Sequence, residues 1–343
     1  MIVTMKNFRV CSTVVFCLMA GFLCGCSEKK VLKQYRMNGL AQGTYYAITY
    51  FSASNENLQP TVDSLFKAFD SSVSTYQPTS ILSRMNNNDT TVLADQIFET
   101  IFNKSLEVSA TTEGAFDFTV GPLVNAWGFG PSKKGNVDQA LVDSLLTLVG
   151  YHKVRLVNGK LLKTDPRIRV DFNAIAQGYT SDWLAVFFES KGIHDYLIDV
   201  GGEVLGIGSK PDGRLWSVGI ELPANNAEDE RKVQAIISLK DLAISTSGSY
   251  RKYYEENGIR YSHTIDPFNG YPVKHNLLSV SVLARDCMTA DAFATAFMVM
   301  GLEKSKGFLQ NNRELEAYFI SDDLNGGFSV YYTPGFESLL NVN

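Results

Sequence analysis

Asp291 and Thr295 stand four residues apart in the apolar run MTADAFATAFMVMG. On a helix that spacing turns a carboxylate and a hydroxyl to the same face. Such a pair suits a hard cation such as Mg²⁺, which takes one or two carboxylates and completes its shell with carbonyls, waters and phosphates. The alternative is a structural acid that caps a helix or pairs with Arg285. His263, in the alternating SHTIDPFNGYP, has the densest polar neighbourhood of the four histidines. An imidazole, titrating at about pH 6.5, is suited to proton transfer, and a structural histidine is the competing reading. Upstream, LAISTSGSY crowds Ser245, Thr246, Ser247 and Ser249 around Gly248, a composition suited to phosphate oxygens.

A further stretch, VDFNAIAQGYT at residues 170–180, reads as an acidic strand end turning into a helix of small residues. Asp171 needs a partner there, because an unpaired buried charge costs roughly several kcal/mol. Asn173, Ala174 and Ala176 keep the backbone accessible, and Gly178 lets a neighbour or ligand approach closely. The turn therefore reads as a place that holds an anion. Residues 112–130, TEGAFDFTVGPLVNAWGFG, are apolar and punctuated by glycine and proline, so they form either a packed core loop or a pocket wall. Tyr76, in the polar loop STYQPTS, either stacks on a planar ligand or caps the core. Asp199 and Glu203 flank Gly201 and Gly202 and are either functional or solvated.

These groups need a frame, and the patterning supplies one. Residues 43–51 alternate as a strand. Pro60 opens a helix with Val62, Leu65, Phe66, Phe69 and Val73 on one face. Further helices are expected over residues 95–112 and 137–149 and through the Asp291 run. KVRLV and KLLKT, joined by Asn158-Gly159, read as a hairpin. YLIDVGGEVLGIG gives two more strands and WSVGIEL another. Hairpins without a regular βαβ repeat indicate an α+β fold of mixed sheets with packed helices.

The composition narrows the function classes. With 343 residues, 45% of them hydrophobic, the chain can bury a large core. A net charge of −5 argues against nucleic acid or another general polyanion as a partner. At the N-terminus, Lys6 and Arg9 precede an apolar run over residues 10–23 that ends in LCGC, matching a bacterial lipobox. Residues 1–25 thus read as a lipoprotein signal peptide, with lipid attached to Cys26, and residues 26–36 as a mobile tether. The expected location is the cell envelope, facing the periplasm from a membrane anchor. Cys11, Cys17 and Cys24 leave with the signal and Cys26 is acylated, so Cys287 alone remains free and no cysteine metal site or disulfide is expected.

Eight blocks in order make a more specific signal. GTYY, STYQPTS, GAFDFTVGPLVNAWGFG, DFNAIAQGYTSDWL, IDVGGEVLGIG, STSGSY, SHTIDPFNGYPV and ADAFATAFMVMG together resemble the ApbE family of FAD:protein FMN transferases over nearly all of the mature chain. The resemblance implies an ApbE-like flavin transferase fold over residues 37–343, with the ligand in a cleft between its two halves. It also implies an activity: with Mg²⁺, the FMN moiety of FAD is moved to a threonine hydroxyl of a target protein, such as an envelope electron-transfer subunit, and AMP is released. Carried over by motif, Gln42, Tyr76, Ala115, Phe116, Asp117, Asp171, Gln177 and Ile265 would contact FAD. Asp291, Thr295 and the Ala174 carbonyl would hold the metal, and His263 would take part in transfer.

The chain departs from the family pattern at several of these positions. Gln42 stands where Met is usual, Phe118 where Pro is common, and Asp171-Phe-Asn-Ala replaces Asp-Leu-Gly-Ala. Gln177 replaces a charged residue and can hydrogen-bond but carries no charge. Two other readings of the same residues are a metal-dependent FAD pyrophosphatase giving FMN and AMP, and a non-catalytic flavin-binding lipoprotein. Retention of both the metal pair and His263 argues against the latter, which needs neither.

Overall fold

The structure, a computed structural model, describes residues 31–130, 135–223, 232–249, 253–256, 259–323, 325 and 327–341. The chain divides into two compact units, Met1–Val31 and Leu32–Asn343, and the described residues other than Val31 belong to the second. The expected signal peptide and Cys26 lie outside the described residues. Order in the second unit begins earlier than residue 37: Lys33 already opens the first strand, so residues 33–36 of the expected tether are part of the sheet.

Strands β1 (Lys33–Ala41) and β2 (Thr44–Ser52) form a hairpin. Its two turn residues, Gln42 and Gly43, have φ of 53° and 73°. Two-residue turns that follow the strand twist need such left-handed backbone, which is costless only for glycine. Helices α1 (Gln59–Val73), α2 (Ile81–Asn86), α3 (Gln96–Thr111), α4 (Gly121–Ala126) and α5 (Gln139–Leu146) come next, followed by the hairpin β3 (Val154–Val157) and β4 (Lys160–Lys163). Pro60 sits in the first turn of α1, where its missing N–H costs nothing. Asn158 and Gly159 turn the β3–β4 hairpin with φ of 51° and 72°, as the dipeptide predicts.

Helix α6 (Ala176–Ser190) leads into β5 (Tyr196–Val200) and β6 (Glu203–Ile207), then β7 (Trp216–Glu221), β8 (Val233–Leu239) and β9 (Leu242–Gly248). The rest is β10 (Tyr253–Glu256), β11 (Ile259–Ser262), β12 (Leu277–Ala284), α7 (Cys287–Met300), α8 (Leu302–Asn311), β13 (Glu316–Asp322), β14 (Phe328–Tyr332) and α9 (Pro334–Glu337). Eight strands make the main sheet in the order β1-β2-β5-β6-β9-β12-β13-β14, and every neighbouring pair is antiparallel. The α+β expectation holds.

Two layers cover this sheet. On one face Ile48, Ile198, Ala243, Val280 and Val282 pack with Phe69, Phe98, Leu184, Phe188 and Phe297 from the helices. On the other, Ile244, Leu283 and Ile320 meet Trp216, Ile237 and Leu239 of the β7–β8 hairpin and Phe336 of α9. Because β9 and β12 are covered on both sides, β12 is almost wholly buried and no residue of β9 is exposed. Helix α7 is buried nearly all round and lies against β9 and β12, with α6 beside it.

The approach of α6 to α7 requires glycine at position 178. A Cβ there would stand 2.4 Å from the Cys287 carbonyl oxygen and 2.8 Å from Asp291 Cβ. In an ordinary helix Gly→Ala gains about 1 kcal/mol. At 178 the backbone carbonyl cannot yield, and overpacking, typically about 1–3 kcal/mol, outweighs that gain. Gly178→Ala is therefore expected to destabilise the domain in urea titration. An increase in stability would show that the two helices can separate freely.

Candidate active site

The site is assembled along the α6–α7 contact. The residue preceding α6, Ile175, offers no side-chain cap; the Ala176 N–H finds the Phe172 carbonyl at 2.8 Å, but the Gly178 N–H has no partner within its own helix start. The Gly178 N–H instead donates to Asp291 Oδ2 at 3.0 Å, from across the interface. The anion held by the start of α6 is thus the protein's own carboxylate, favoured there by the helix dipole. Among the described residues no lysine or arginine faces Asp291, and the alternative of a pair with Arg285 is not what the structure contains.

Thr295 lies one helical turn after Asp291 and its hydroxyl is 3.1 Å from Ser247 Oγ of β9. Ala174 lies in the turn before α6, one turn back from Gly178. Along the antiparallel helices, Gly178 faces Asp291 and the next step of four in each direction reaches Ala174 and Thr295. These three oxygen donors are hard and carry one full charge between them, a set that fits Mg²⁺. The hydroxyl cluster of β9 is divided by strand alternation. Ser245 and Ser247 face α7, touching Cys287 Sγ and Thr295, whereas Thr246 bonds Ser281 on the opposite face. Only Ser247 of that cluster reaches the Asp291–Thr295 pair.

Asp171 is held by its main chain and its neighbours. Its N–H donates to the Phe118 carbonyl at 2.8 Å, and its Oδ1 accepts from the Asn173 N–H at 2.8 Å. Val170 before it has no strand partner; the buried Asn86 side chain takes both its N–H and its C=O, each at 2.8 Å. Beneath this bracket, Lys163 Nζ donates to the carbonyls of Met85, Asn86, Pro166 and Ile168 at 3.0–3.4 Å. Burial pushes its pKa down to about 8. Tyr76 is exposed, and the Asp171 charge, after burial, helps raise its phenol pKa, so the two expected flavin contacts are neighbours.

The two glutamines that depart from the family pattern flank the start of α6, and Gln42 is hydrogen-bonded. The Gln42 amide donates to Thr180 Oγ1 of α6 at 2.8 Å and to the Asp70 carboxylate of α1. The Gln177 amide lies over the β5–β6 turn, 3.3 Å from where a Cβ on Gly201 would stand. Asp199 holds that turn through the Gly202 N–H at 2.9 Å.

Ala115, Phe116 and Asp117 are buried, and Asp117 is fully engaged. It accepts from the Thr119 N–H and hydroxyl at 2.8 and 2.6 Å and from the Tyr151 N–H at 2.8 Å. Its carboxylate therefore fixes the loop that presents the neighbouring backbone. Ile265 is buried with Leu123, Trp127, Val142 and Val149, and its backbone bridges to Pro272. Trp127 Nε1 donates to the Gly270 carbonyl, so this part of residues 112–130 is packed core rather than pocket wall. His263 is half-buried, in a bend just past β11, its ring edge-on to Phe129 with centroids 6.4 Å apart.

The structure thus joins Gly178 to Asp291 and Ser247 to Thr295 by hydrogen bonds, and sets Tyr76 within electrostatic reach of Asp171. A cavity of about 370 Å³, lined by Lys104, Asp182, Glu189, Arg285 and Asp286 among others, contains none of the expected site residues. Sequence reasoning passed over Asn86 and Asp182. Asp182 could have been found from its step of four beyond Gly178, but no local pattern reveals Asn86, whose partner lies 84 residues away.

Comparison with known proteins gives a consistent picture. The sequence model described as the ApbE family matches residues 42–319. An FAD:protein FMN transferase of Vibrio cholerae is 36% identical over 93% of this chain and 96% of its own length. One from Haemophilus influenzae is 34% identical over 96% of this chain and 98% of its own. The solved flavin transferase ApbE from Vibrio cholerae superposes with a TM-score of 0.80 at 34% identity, covering 90% of this chain and all of that one.

Burial governs the electrostatics of the α6–α7 contact. It raises the Asp291 carboxyl far above its ordinary 3.8, with the Gly178 N–H pulling the other way. Asp182 is pushed up to about 7, again by burial, against the pull of the Cys287 and Met288 N–H groups. Each acid keeps its proton in the folded protein at pH values where the unfolded chain has lost it. The resulting stabilisation is complete below about pH 4 and is lost as pH rises towards and through the folded pKa. Without divalent cation, the thermal midpoint is expected to fall between about pH 5 and pH 8, and Asp291→Asn to flatten that fall. An unchanged pH slope in the variant would remove Asp291 as a titrating group.

Proposed function

The chain belongs to the ApbE family, and from that premise we propose that it is an FAD:protein FMN transferase whose acceptor is a threonine hydroxyl. In the reaction the acceptor oxygen bonds to the phosphorus of the FMN half of FAD. The bond from that phosphorus to the bridging oxygen breaks, AMP leaves with the oxygen, and the hydroxyl proton passes to a base. The observation that carries this reading is the pinning of Asp291 to the start of α6, with Thr295 one turn on. It fixes a carboxylate and a hydroxyl on one face of α7, and the step of four back along α6 leads to Ala174, whose carbonyl would complete the set.

Asp291, Thr295 and Ala174 would hold Mg²⁺, which when bound offsets the charge that builds on the pyrophosphate oxygens. Asp171 and Tyr76 form a polar and aromatic pair suited to one part of the flavin nucleotide. Ala115 and Phe116 offer backbone on a loop that Asp117 keeps rigid. Gln42 and Gln177 act on this site chiefly by setting the start of α6 against the strand turns. Ile265 supports it through the packed turn that follows His263. His263 is the group assigned to the acceptor's proton, as imidazole is the side chain suited to that task near neutral pH. The LCGC leader supports attachment through Cys26 to an envelope membrane, where an acceptor electron-transfer protein would be reached.

Incubating the mature domain with FAD, Mg²⁺ and an acceptor protein, and following both AMP and covalent flavin fluorescence on a denaturing gel, tests the reading. AMP with labelled acceptor is expected; AMP alone would establish a pyrophosphatase, and neither signal a binding protein. His263→Ala is expected to bind FAD normally while transfer falls by roughly 10²–10⁴-fold. Full transfer by this variant would exclude His263 as the base.

A further inference from the structure

The start of α7 is capped from α6. Asp182 Oδ1 accepts from the Cys287 N–H and its Oδ2 from the Met288 N–H, both at 2.8 Å. The residue preceding α7, Asp286, takes only the Thr289 N–H, also at 2.8 Å. Each helix therefore supplies a carboxylate to the other's first turn: Asp291 of α7 to Gly178, and Asp182 of α6 to Cys287 and Met288. Both contacts are one turn apart on both helices, Gly178 to Asp182 and Cys287 to Asp291, so they form a matched antiparallel pair of clamps.

A two-pronged clamp at the first two residues of a helix fixes both its rotation and its register. A slip of one residue would rotate Asp291 by about 100° and shift it by about 1.5 Å, enough to lose the Gly178 contact and turn the Asp291–Thr295 face away from Ala174. The large contacts of α7 lie in its later turns, where Phe293 packs on Phe308 and Phe297 on Phe308 and Phe319, whereas small residues such as Ala290, Ala292, Ala294 and Ala296 make up much of the rest of its buried surface. Van der Waals surfaces of that kind are similar from several angles, and directional hydrogen bonds are what distinguish them.

We propose that Asp182 is a positioning residue for metal binding, setting α7 so that Asp291 and Thr295 meet the Ala174 carbonyl. The proposal rests on the reading that those residues hold a divalent cation. On this assignment Asp182 is not itself a ligand to the cation, since both its oxygens are taken by the Cys287 and Met288 N–H groups. It acts through the helix whose first turn it grips, much as groups behind metal ligands hold them in place.

The test is Mn²⁺ binding to the whole mature domain, followed by the electron paramagnetic resonance of free Mn²⁺, with Mg²⁺ activation of AMP release measured in parallel. Asp182→Asn retains one acceptor oxygen and is expected to weaken Mn²⁺ binding on the order of tenfold, and Asp182→Ala up to about a hundredfold. Activity at saturating Mg²⁺ is expected to recover in both. Asp286→Ala removes the helix's own cap but leaves the Asp182 clamp, so it should lower the thermal midpoint and keep Mn²⁺ affinity. Asp291→Ala separates the two levels of inference. If it leaves Mn²⁺ binding intact, the metal assignment fails; if it abolishes binding while folded Asp182→Asn binds normally, only the positioning role is overturned. Should Asp182→Ala not fold, Asp182→Asn decides.

Discussion

The contact between the Gly178 N–H and the Asp291 carboxylate is the constraint around which the rest of the structure is arranged. A carboxylate on a helix as apolar as α7 is costly to bury alone. An uncapped helix start also leaves donors that need partners. Bringing the two together eases both deficits, though burial still dominates at the carboxylate, and it is possible only if the backbones approach so closely that position 178 has no side chain. Once that approach is set, the positions of Thr295, Ser247 and the turn holding Ala174 follow from helical and strand periodicity. Asp171, which the sequence suggested would need a partner of its own, is held by local N–H donation and by the backbone of the adjoining loop.

The sheet makes this arrangement rigid because it is enclosed on both faces. The β7–β8 hairpin and α9 seal one side, and α6 and α7 with the N-terminal helices seal the other. With both faces covered, each side chain of β9 has a defined destination, and its three consecutive hydroxyls, Ser245, Thr246 and Ser247, become divided between two environments. The same enclosure raises the pKa of the carboxylates at the helix contact. A site that recruits a cation needs carboxylates that are incompletely neutralised by the protein itself. Burial with few opposing N–H groups produces that condition.

Much of this was legible from spacing. The i, i+4 placement of Asp291 and Thr295, Pro60 as a helix start and the Asn158-Gly159 hairpin are local rules, and local rules can be read along a chain; Gly178 could be read as allowing a close approach, but not by what. What escaped was decided by distant partners. Residues 33–36 read as polar tether because an edge strand half exposed to water has little apolar pattern, and its hairpin turns on a glutamine where glycine or asparagine is the usual signal. The hydroxyls of β9 read as one group because one-dimensional proximity ignores the two faces of a strand. Asn86 serves as the hydrogen-bonding edge for Val170, a task normally given to a strand backbone, and no sequence pattern marks a side chain for it. The ordered motif blocks located the candidate site as a whole, whereas its supports became visible only through the packing.

Lys163 beneath that bracket carries a consequence of a different kind. Its ammonium lies among four carbonyl oxygens, two from the end of α2 and two from the loop after β4, the arrangement by which proteins bind a potassium or sodium ion. Here the cation is covalently part of the chain. It cannot be diluted away, exchanged for a smaller ion or displaced by a change in the surrounding electrolyte. The loop leading to Asp171 and Ala174 thus carries its own cation, which cannot exchange with the ionic medium and is lost only by deprotonation as pH rises through about 8, even where the neighbouring site depends on capturing an ion from that medium.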